Sequence, residues 1–570
     1  MADARRRSRT RLVVPAALVV AVLLVTAVVV GLPDARDGLL PGPGGSASPS
    51  ASPSPRPQDE LDAPGYDPDP GPLALPDVAA STAEPVTASF AVPEGAQRWD
   101  GSIGLSFEAT DLASPLWGSE SSNLDETLEA LDSPVLRFGG NSVDRRMWWT
   151  SSGESAPDWA EATVTPADLQ RVAAAAEAAD ASVTITLDLG HDDPQRAADM
   201  AAHAREAFGR RLLAVSIGNE PNGFFHANQP QLAVRDDSWD TDAYRAALTE
   251  HSAAIEAVAP GTPIAGPGAY DAPWWRAFAE SGIPHQRALT MHWYPLWDCT
   301  GPASSIANPT VEDLTSPALR ERARQLIGMG AQVAEQHDLP LWMEETGPTS
   351  CPGTNATSRT HAQALWSGDY ALTAAESGVE RLAFHATLQA CQGGAPMSPV
   401  CATGSLDRPG ELLRGRTSFL ALLQLAQLPA GTVLAPAVSG DGRIMVHAVL
   451  GDDGTLGVMI VDLRDPEGAA PVPVQLSAPG GLDAAAPTAW TLTDGSLLAG
   501  DSLEAPESRL GAPAAPAGAL AQAPLGRGAP LSVASTPGST LLLRFAPVAE
   551  AAPSDSGGAS DQGGAAEAGG

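Results

Sequence analysis

Between about residues 98 and 400 the chain repeatedly switches its hydrophobic period. Short apolar runs suited to buried strands are each followed by a stretch of helical periodicity. The runs are "GSIGLSFEA", "PVLRFGG", "SVTITLDLG", "LLAVSIGNEP", "TPIAGPG", "ALTMHWYP", "LPLWMEETG" and "VERLAFHATLQ". Eight strand–helix alternations in one stretch suit a parallel sheet closed on itself, so the expected class is α/β, a (β/α)8 TIM barrel. The helical stretches carry their own boundary signals. Thr165 stands as N-cap with Pro166 in the first turn and Asp168 at the third position, and Gly209 ends the next helix.

The pattern changes at both sides of this stretch. After about residue 405, short strand-like runs such as "RIMVHAVLG" and "STLLLRFAP" lie between Gly, Pro and Asp turns. They read as a C-terminal antiparallel β-sandwich over residues 405–548, followed by a disordered tail over 549–570. The barrel is placed at residues 86–404, and its first strand-like segment, "EPVTASFAVPEG", is expected to join the sandwich. Residues 33–85 are rich in Pro, Ser and Gly and read as a disordered linker that cannot bury a core. Before it, Arg5, Arg6, Arg7, Arg9 and Arg11 form a basic segment over residues 1–11. The uncharged apolar run that follows is long enough for one transmembrane helix at residues 12–32. Basic residues stay on the cytoplasmic side, so the body is expected outside, on a single-pass signal anchor in the cell membrane. Secretion after cleavage is the alternative.

Charge and composition remove several function classes. A formal net charge of -35 opposes binding to nucleic acid or to an anionic membrane surface. All 33 cationic side chains are arginine, which removes Schiff-base chemistry on lysine. None of Cys299, Cys351, Cys391 and Cys401 stands in a CxxC spacing, so no zinc site is expected. The fold places Cys299 after strand six and Cys351 after strand seven, which are neighbours in a barrel. Cys391 and Cys401 bracket one loop after strand eight. The expected disulfides are therefore Cys299–Cys351 and Cys391–Cys401.

In such barrels the working residues gather at the carboxyl ends of the strands. Those ends carry Glu108 on strand one and Arg137, Asn141 and Asp144 on strand two. Asn219 and Glu220 follow on strand four, His292 and Tyr294 on six, Glu344 and Glu345 on seven, and His385 and Gln389 on eight. Two carboxylates on facing strands are the minimal equipment for glycoside hydrolysis, one attacking carbon while the other gives and takes a proton. Neighbours in a strand point to opposite faces, so only one of Glu344 and Glu345 is expected at the mouth, the other bonding behind the strand. "NEP" alone is more often a turn, "RFGG" is a tight bend, and His191 with Asp192 and Asp193 reads as a solvated loop.

Taken together, "VLRFGGNSVD", "SIGNEPNGF", "MHWYP" and "LWMEETG" resemble glycoside hydrolase family 79, the β-glucuronidase and heparanase-like group within the retaining clan A glycosidases. The resemblance covers roughly residues 98 to 400. It implies a retaining mechanism with Glu220 as acid/base and Glu345 as nucleophile, and it calls for no cofactor and no metal. It also implies that Asn219 binds the hydroxyl beside the anomeric carbon and that Tyr294 hydrogen-bonds the nucleophile, with His292 in support. Arg137 or Tyr294 beside Glu345 is expected to lower its pKa. Glu108, Asn141 and Asp144 would bind hydroxyls, and Trp148, Trp149, Trp293 and Trp297 could stack on sugar faces. The partner implied is a carbohydrate, a β-linked glycoside. The segment after strand seven, "TGPTSCPGTNATS", lacks the tyrosine with which the family holds a uronate carboxylate. A β-xylosidase, a β-glucosidase or galactosidase, an arabinofuranosidase and a non-catalytic carbohydrate-binding envelope protein therefore stay open.

Overall fold

The computed structural model describes residues 61–547, apart from 77–82, 228–229, 302–304, 306, 351–355, 479–486, 498–507, 512–524 and 526–529. Eight strands close a parallel barrel: β1 Gly104–Glu108, β2 Val135–Gly139, β3 Ser182–Leu187, β4 Leu212–Ile217, β5 Ile264–Ala269, β6 Gln286–Trp293, β7 Leu341–Thr346 and β8 Val379–Ala386. β8 pairs with β1 and so completes the ring. Every residue of β2, β5 and β7 is buried, as expected for strands covered on both faces. The floor of the barrel is packed. Ala214, Ala265 and Ala288 leave room for Trp342, and the guanidinium groups of Arg287 and Arg381 lie 5.0 and 5.2 Å from its ring.

The helices of the outer ring include α1 Leu124–Glu129, α2 Pro166–Ala178, α3 Pro194–Phe208, α4 Thr241–Val258, α5 Ala272–Ala279, α6 Val311–Leu314, α7 Pro317–Gln336 and α8 His361–Glu376. Thr165 and Asp168 form a capping box at the start of α2. Gly209 caps the end of α3, as its position in the sequence indicated.

The β domain holds two sheets, one of eight strands and one of four among the described residues. A second hydrophobic core, with Ile444, Val458, Val474 and Leu543, lies between them. Val86–Ser89 pairs with Ala437–Ser439 and Val472–Ser477, so this upstream segment does belong to the β domain. Arg98–Trp99 likewise pairs with Gly431–Leu434.

Three boundaries differ from the sequence reading. Residues 61–76, assigned there to the linker, are part of the folded body. Ala63 is buried, Tyr66–Asp67 pairs with Arg509–Gly511, and Asp62 meets Arg414 at 2.9 Å. A few apolar and turn residues within a Pro-rich stretch suffice to pin it to an existing sheet edge. Residues 400–415 form a hairpin, Val400–Ser405 with Arg408–Gly415, ahead of the sandwich. Then comes a helix that the sequence reading did not find, α9 Thr417–Leu425, "TSFLALLQL". All of its residues are buried, so no polar face marks a helical period.

The Cys391–Cys401 disulfide ties the short strand Ala390–Gln392, which follows β8, to that hairpin. Cys351 lies outside the described residues, and the pairing expected of it with Cys299 lies there too. The expected membrane span at residues 12–32 and the tail at 549–570 also fall outside them. No helix among the described residues is long and apolar enough to cross a membrane.

Candidate active site

The site begins where β4 ends. Glu220 adopts left-handed backbone angles, φ 48° and ψ 57°, which are uncommon for a residue with a Cβ. The conformation is held at both ends: its N–H donates to the Gly268 carbonyl at 3.1 Å, and its carbonyl accepts from Gly223 N–H at 2.7 Å. Asp144 secures the approach. Its carboxylate accepts from the backbone N–H groups of Leu189, Gly190 and Asn219 at 2.8 to 2.9 Å. Burial, reinforced by Asp188, pushes the Asp144 carboxyl up to about 7. The expectation that Asp144 binds a sugar hydroxyl is thus corrected, because its acceptors are spent on the backbone of two strand ends.

β7 reaches the site through an irregularity. Met343 pairs with Met291 of β6, but Glu345 pairs with the next residue, His292, so Glu344 is one residue too many. The same shift appears against β8. This is a β-bulge, and it resets the alternation of side chains. Both carboxylates therefore point into the barrel, Glu345 at the mouth and Glu344 one layer below, where Ser216 Oγ donates to it at 3.3 Å. The expectation that Glu344 would bond behind the strand fails for this reason.

Glu345 is only 4% exposed and is surrounded by donors and positive charge. Arg137 donates to its Oε2 at 2.6 Å and to Asn219 Oδ1 at 2.6 Å. Tyr294 donates its hydroxyl to Oε1 at 2.8 Å. His385 Nδ1 lies 3.3 Å from Oε1. Burial alone would raise the Glu345 carboxyl, but His292, His385 and Arg137 outweigh it and hold it well below the usual carboxylate range. Burial lowers the His385 imidazole, yet Glu345 and Glu108 leave it raised. Burial and the Glu345 charge keep Tyr294 neutral, a donor at any ordinary pH.

The two glycines of "RFGG" make this cluster possible. A Cβ on Gly139 would lie 2.3 Å from the Arg137 guanidinium, and one on Gly140 2.6 Å from the Glu108 carboxyl.

Glu220, His292 and Glu345 converge from three strands. One carboxylate oxygen of each Glu and a ring nitrogen of His292 all lie within 4.8 Å of one another. His292 Nδ1 is 3.2 Å from Glu220 Oε1 and 3.9 Å from Glu345 Oε2. Three such groups could also crowd a cation, but the Arg137 guanidinium competes for the same carboxylate.

A cavity of about 560 Å3 opens above this pair. Glu108, Asn141, His292, Trp293 and Tyr294 line it, as does Trp297. Glu108 accepts from Ser142 N–H at 2.9 Å and lies 3.9 Å from His385. Asn219 does not line the cavity, but its Nδ2 is buried with no partner among the described residues. Trp148 and Trp149 lie elsewhere: Arg196 covers the first, and the second donates to Asp199. Both are scaffold, against the expectation of sugar stacking. Trp293 is 9% exposed, with its ring tilted against Tyr370, 5.5 Å between centroids.

Sequence reasoning missed Tyr270, Arg146, Arg322 and Met397 in the lining and gave His385 too little weight. Tyr270 directly follows β5, in "GAYD", a strand end whose polar residues sequence reasoning did not weigh.

No protein-family model and no curated protein matches the chain. Solved structures do share its fold. A 4-O-α-L-rhamnosyl-β-D-glucuronidase from Fusarium oxysporum 12S aligns with TM-score 0.59 at 18% identity, over 80% of this chain and 99% of the other. A GH51 arabinofuranosidase from Xanthomonas axonopodis pv. citri aligns with TM-score 0.57 at 16% identity, over 81% and 99%. CelM2, a bifunctional glucanase-xylanase from a metagenome library, gives 0.54 at 14%, over 81% and 99%. The chain has the fold of these glycosidases, a barrel with a β domain.

Proposed function

We propose that this protein is a retaining glycoside hydrolase. The observation that carries the reading is the approach of the Glu220 and Glu345 carboxylate oxygens to within 4.8 Å. Double displacement needs carboxyl groups about 5 Å apart, whereas inversion leaves room for a water at roughly 6.5–9.5 Å. Glu345, held ionised, attacks the anomeric carbon. Glu220 gives its proton to the departing oxygen as the glycosidic bond breaks. Water then attacks the same carbon, Glu220 takes a proton from it, and the ester to Glu345 is released as free carboxylate. Glu108, Asn141 and His385, which line the cavity, hold the sugar hydroxyls, and the unpartnered Asn219 Nδ2 is the donor that a hydroxyl next to the reacting carbon would have to reach below the cavity wall. Arg137, Tyr294 and His292 keep Glu345 oriented.

For the substrate, the structures of shared fold act on arabinofuranosides, on glucans and xylans, or on a rhamnosylated glucuronide. That spread favours a glycosidase of this broad class over a strict β-glucuronidase. Nitrophenyl β-glucuronide, β-xyloside, β-glucoside, β-galactoside and α-arabinofuranoside separate the readings. Release from at least one of them, lost in Glu345→Ala, is the expected result. Silence on every one would overturn the reading. We further propose that residues 12–32 hold this body outside the cytoplasmic membrane.

A further inference from the structure

The bulge in β7 leaves a second carboxylate, Glu344, buried beneath the site with no place in the mechanism above. Its Oε2 is engaged by Ser216, and its Oε1 has no partner among the described residues. Beside it lies a void of about 10 Å3, lined among others by Glu344, Arg137, Thr184, Trp342 and Arg381. Three more buried polar atoms in that lining lack partners, Arg137 Nε, Thr184 Oγ1 and Trp342 Nε1, whereas Arg381 Nε is paired with Asp100 at 2.7 Å. The four side chains belong to residues no more than 5% exposed.

The four atoms match the bonding capacity of one solvent molecule. Arg137 Nε–H and Trp342 Nε1–H can only donate, so they suit the two lone pairs of a water oxygen. Glu344 Oε1 can accept, and so can Thr184 Oγ1, which suits the two water hydrogens. The volume is about what a single water occupies, and two to four polar partners are what such a water needs. A dry void would leave all four groups unsatisfied in a low-dielectric interior, which is costly.

We propose that this void binds one water molecule, and that through it Glu344 positions Arg137 against Glu345. The second half of this rests on Glu345 being the nucleophile. Arg137 would then be held on every side: Ser106 and Glu345 on one amino group, Asn219 on the other, and the water on Nε. Glu344 is a positioning residue, acting through Arg137 and touching no substrate. The charged and titratable groups that face Glu345 itself are Arg137, His292, His385, Tyr294 and Glu220. A substitution at Glu344 replaces none of these groups and acts on Glu345 through the placement of Arg137.

Two experiments on the full chain test this. A high-resolution crystal structure should show one ordered water within hydrogen-bond reach of all four atoms. A dry void, or a direct Glu344–Arg137 Nε bond, overturns the site. In kinetics, folded Glu344→Leu should lower kcat/KM by about ten- to a hundredfold. Compared with Glu344→Gln, which removes the same carboxylate but keeps an acceptor, it should also move the acid limb of the pH profile upward, because a loosened Arg137 holds Glu345 ionised less strongly. Glu344→Gln keeps an acceptor and should restore most of both. Coincident acid limbs in folded Glu344→Leu and Glu344→Gln refute the positioning role. If Glu344→Leu does not fold, Thr184→Val, which leaves β7 untouched, should shift the limb in the same direction and decides the matter. Should the wild-type protein cleave no glycoside, the catalytic reading falls, and the water site still stands or falls on the crystal structure.

Discussion

At the residue scale, Glu220 and Glu345 sit in contrasting surroundings and should fail differently when removed. Glu345→Ala should abolish turnover on every substrate. Glu220→Ala should lose about 10²- to 10⁴-fold on glycosides with poor leaving groups, much less on activated nitrophenyl ones, and regain rate with azide. Equal losses on both kinds of leaving group would contradict the acid/base role. Tyr294→Phe removes one of the donors to Glu345, so the acid limb of kcat/KM should move to higher pH. The sequence identified this group by where each strand ends: Glu220, Glu345, Asn219, Tyr294, His292 and Arg137 all converge. It misjudged Asp144 because a strand-end acid looks the same whether it faces sugar or backbone N–H groups. It misjudged Trp148 and Trp149 because an indole near a rim has no sequence mark for core or surface.

At the scale of elements, the least legible feature was the extra residue in β7. Strict alternation sends Glu344 and Glu345 to opposite faces, and only the register against β6 and β8 shows that they share one. The helix α9 was hidden by the opposite problem, being buried all round, with Thr417, Ser418 and Gln424 as buried as its apolar residues.

A second element-level device joins barrel to β domain. His447, on the strand Ile444–Gly451, bridges two acids of α8, with Nε2 3.0 Å from Asp369 and Nδ1 2.7 Å from Glu376. Arg320 of α7 meets Asp369 at 2.8 Å and the Gly442 carbonyl at 3.0 Å. Burial opposes a charged imidazole here, but Glu376 and Asp369 raise His447 to about 9. Asp369 is held at about 2, chiefly by Arg320 and His447 against its burial. The folded pKa of His447 exceeds its ordinary value of about 6.5, so its contribution is complete below that pH and fades as pH rises through 9. The contribution of Asp369 is complete above about 3.8 and fades as pH falls toward 2. Thermal melts should therefore show wild type losing about 3 kcal/mol between pH 6.5 and 10 that His447→Gln does not lose. Parallel curves for the two proteins would contradict the bridge.

At the scale of the whole molecule, the chain builds its β domain from both ends of the barrel. Tyr66–Asp67, Val86–Ser89 and Arg98–Trp99 precede the barrel yet pair with strands that follow it. Phe90, Val86 and Ala88 sit in the second core. If the proposed anchor at residues 12–32 holds the protein in a membrane, removing residues 1–60 should release it from the membrane fraction with activity unchanged. Removing residues 1–99 should give an insoluble or far less stable product, because a core wall goes with them. Full activity and stability in the shorter protein would show that these strands are dispensable.

In the proposed reaction two carboxylates within 4.8 Å act on one anomeric carbon in succession. Proton NMR of the first sugar released from a cleaved glycoside, recorded before mutarotation, tests it most directly. Double displacement predicts a product with the anomeric configuration of the substrate. A first product of inverted configuration would contradict it.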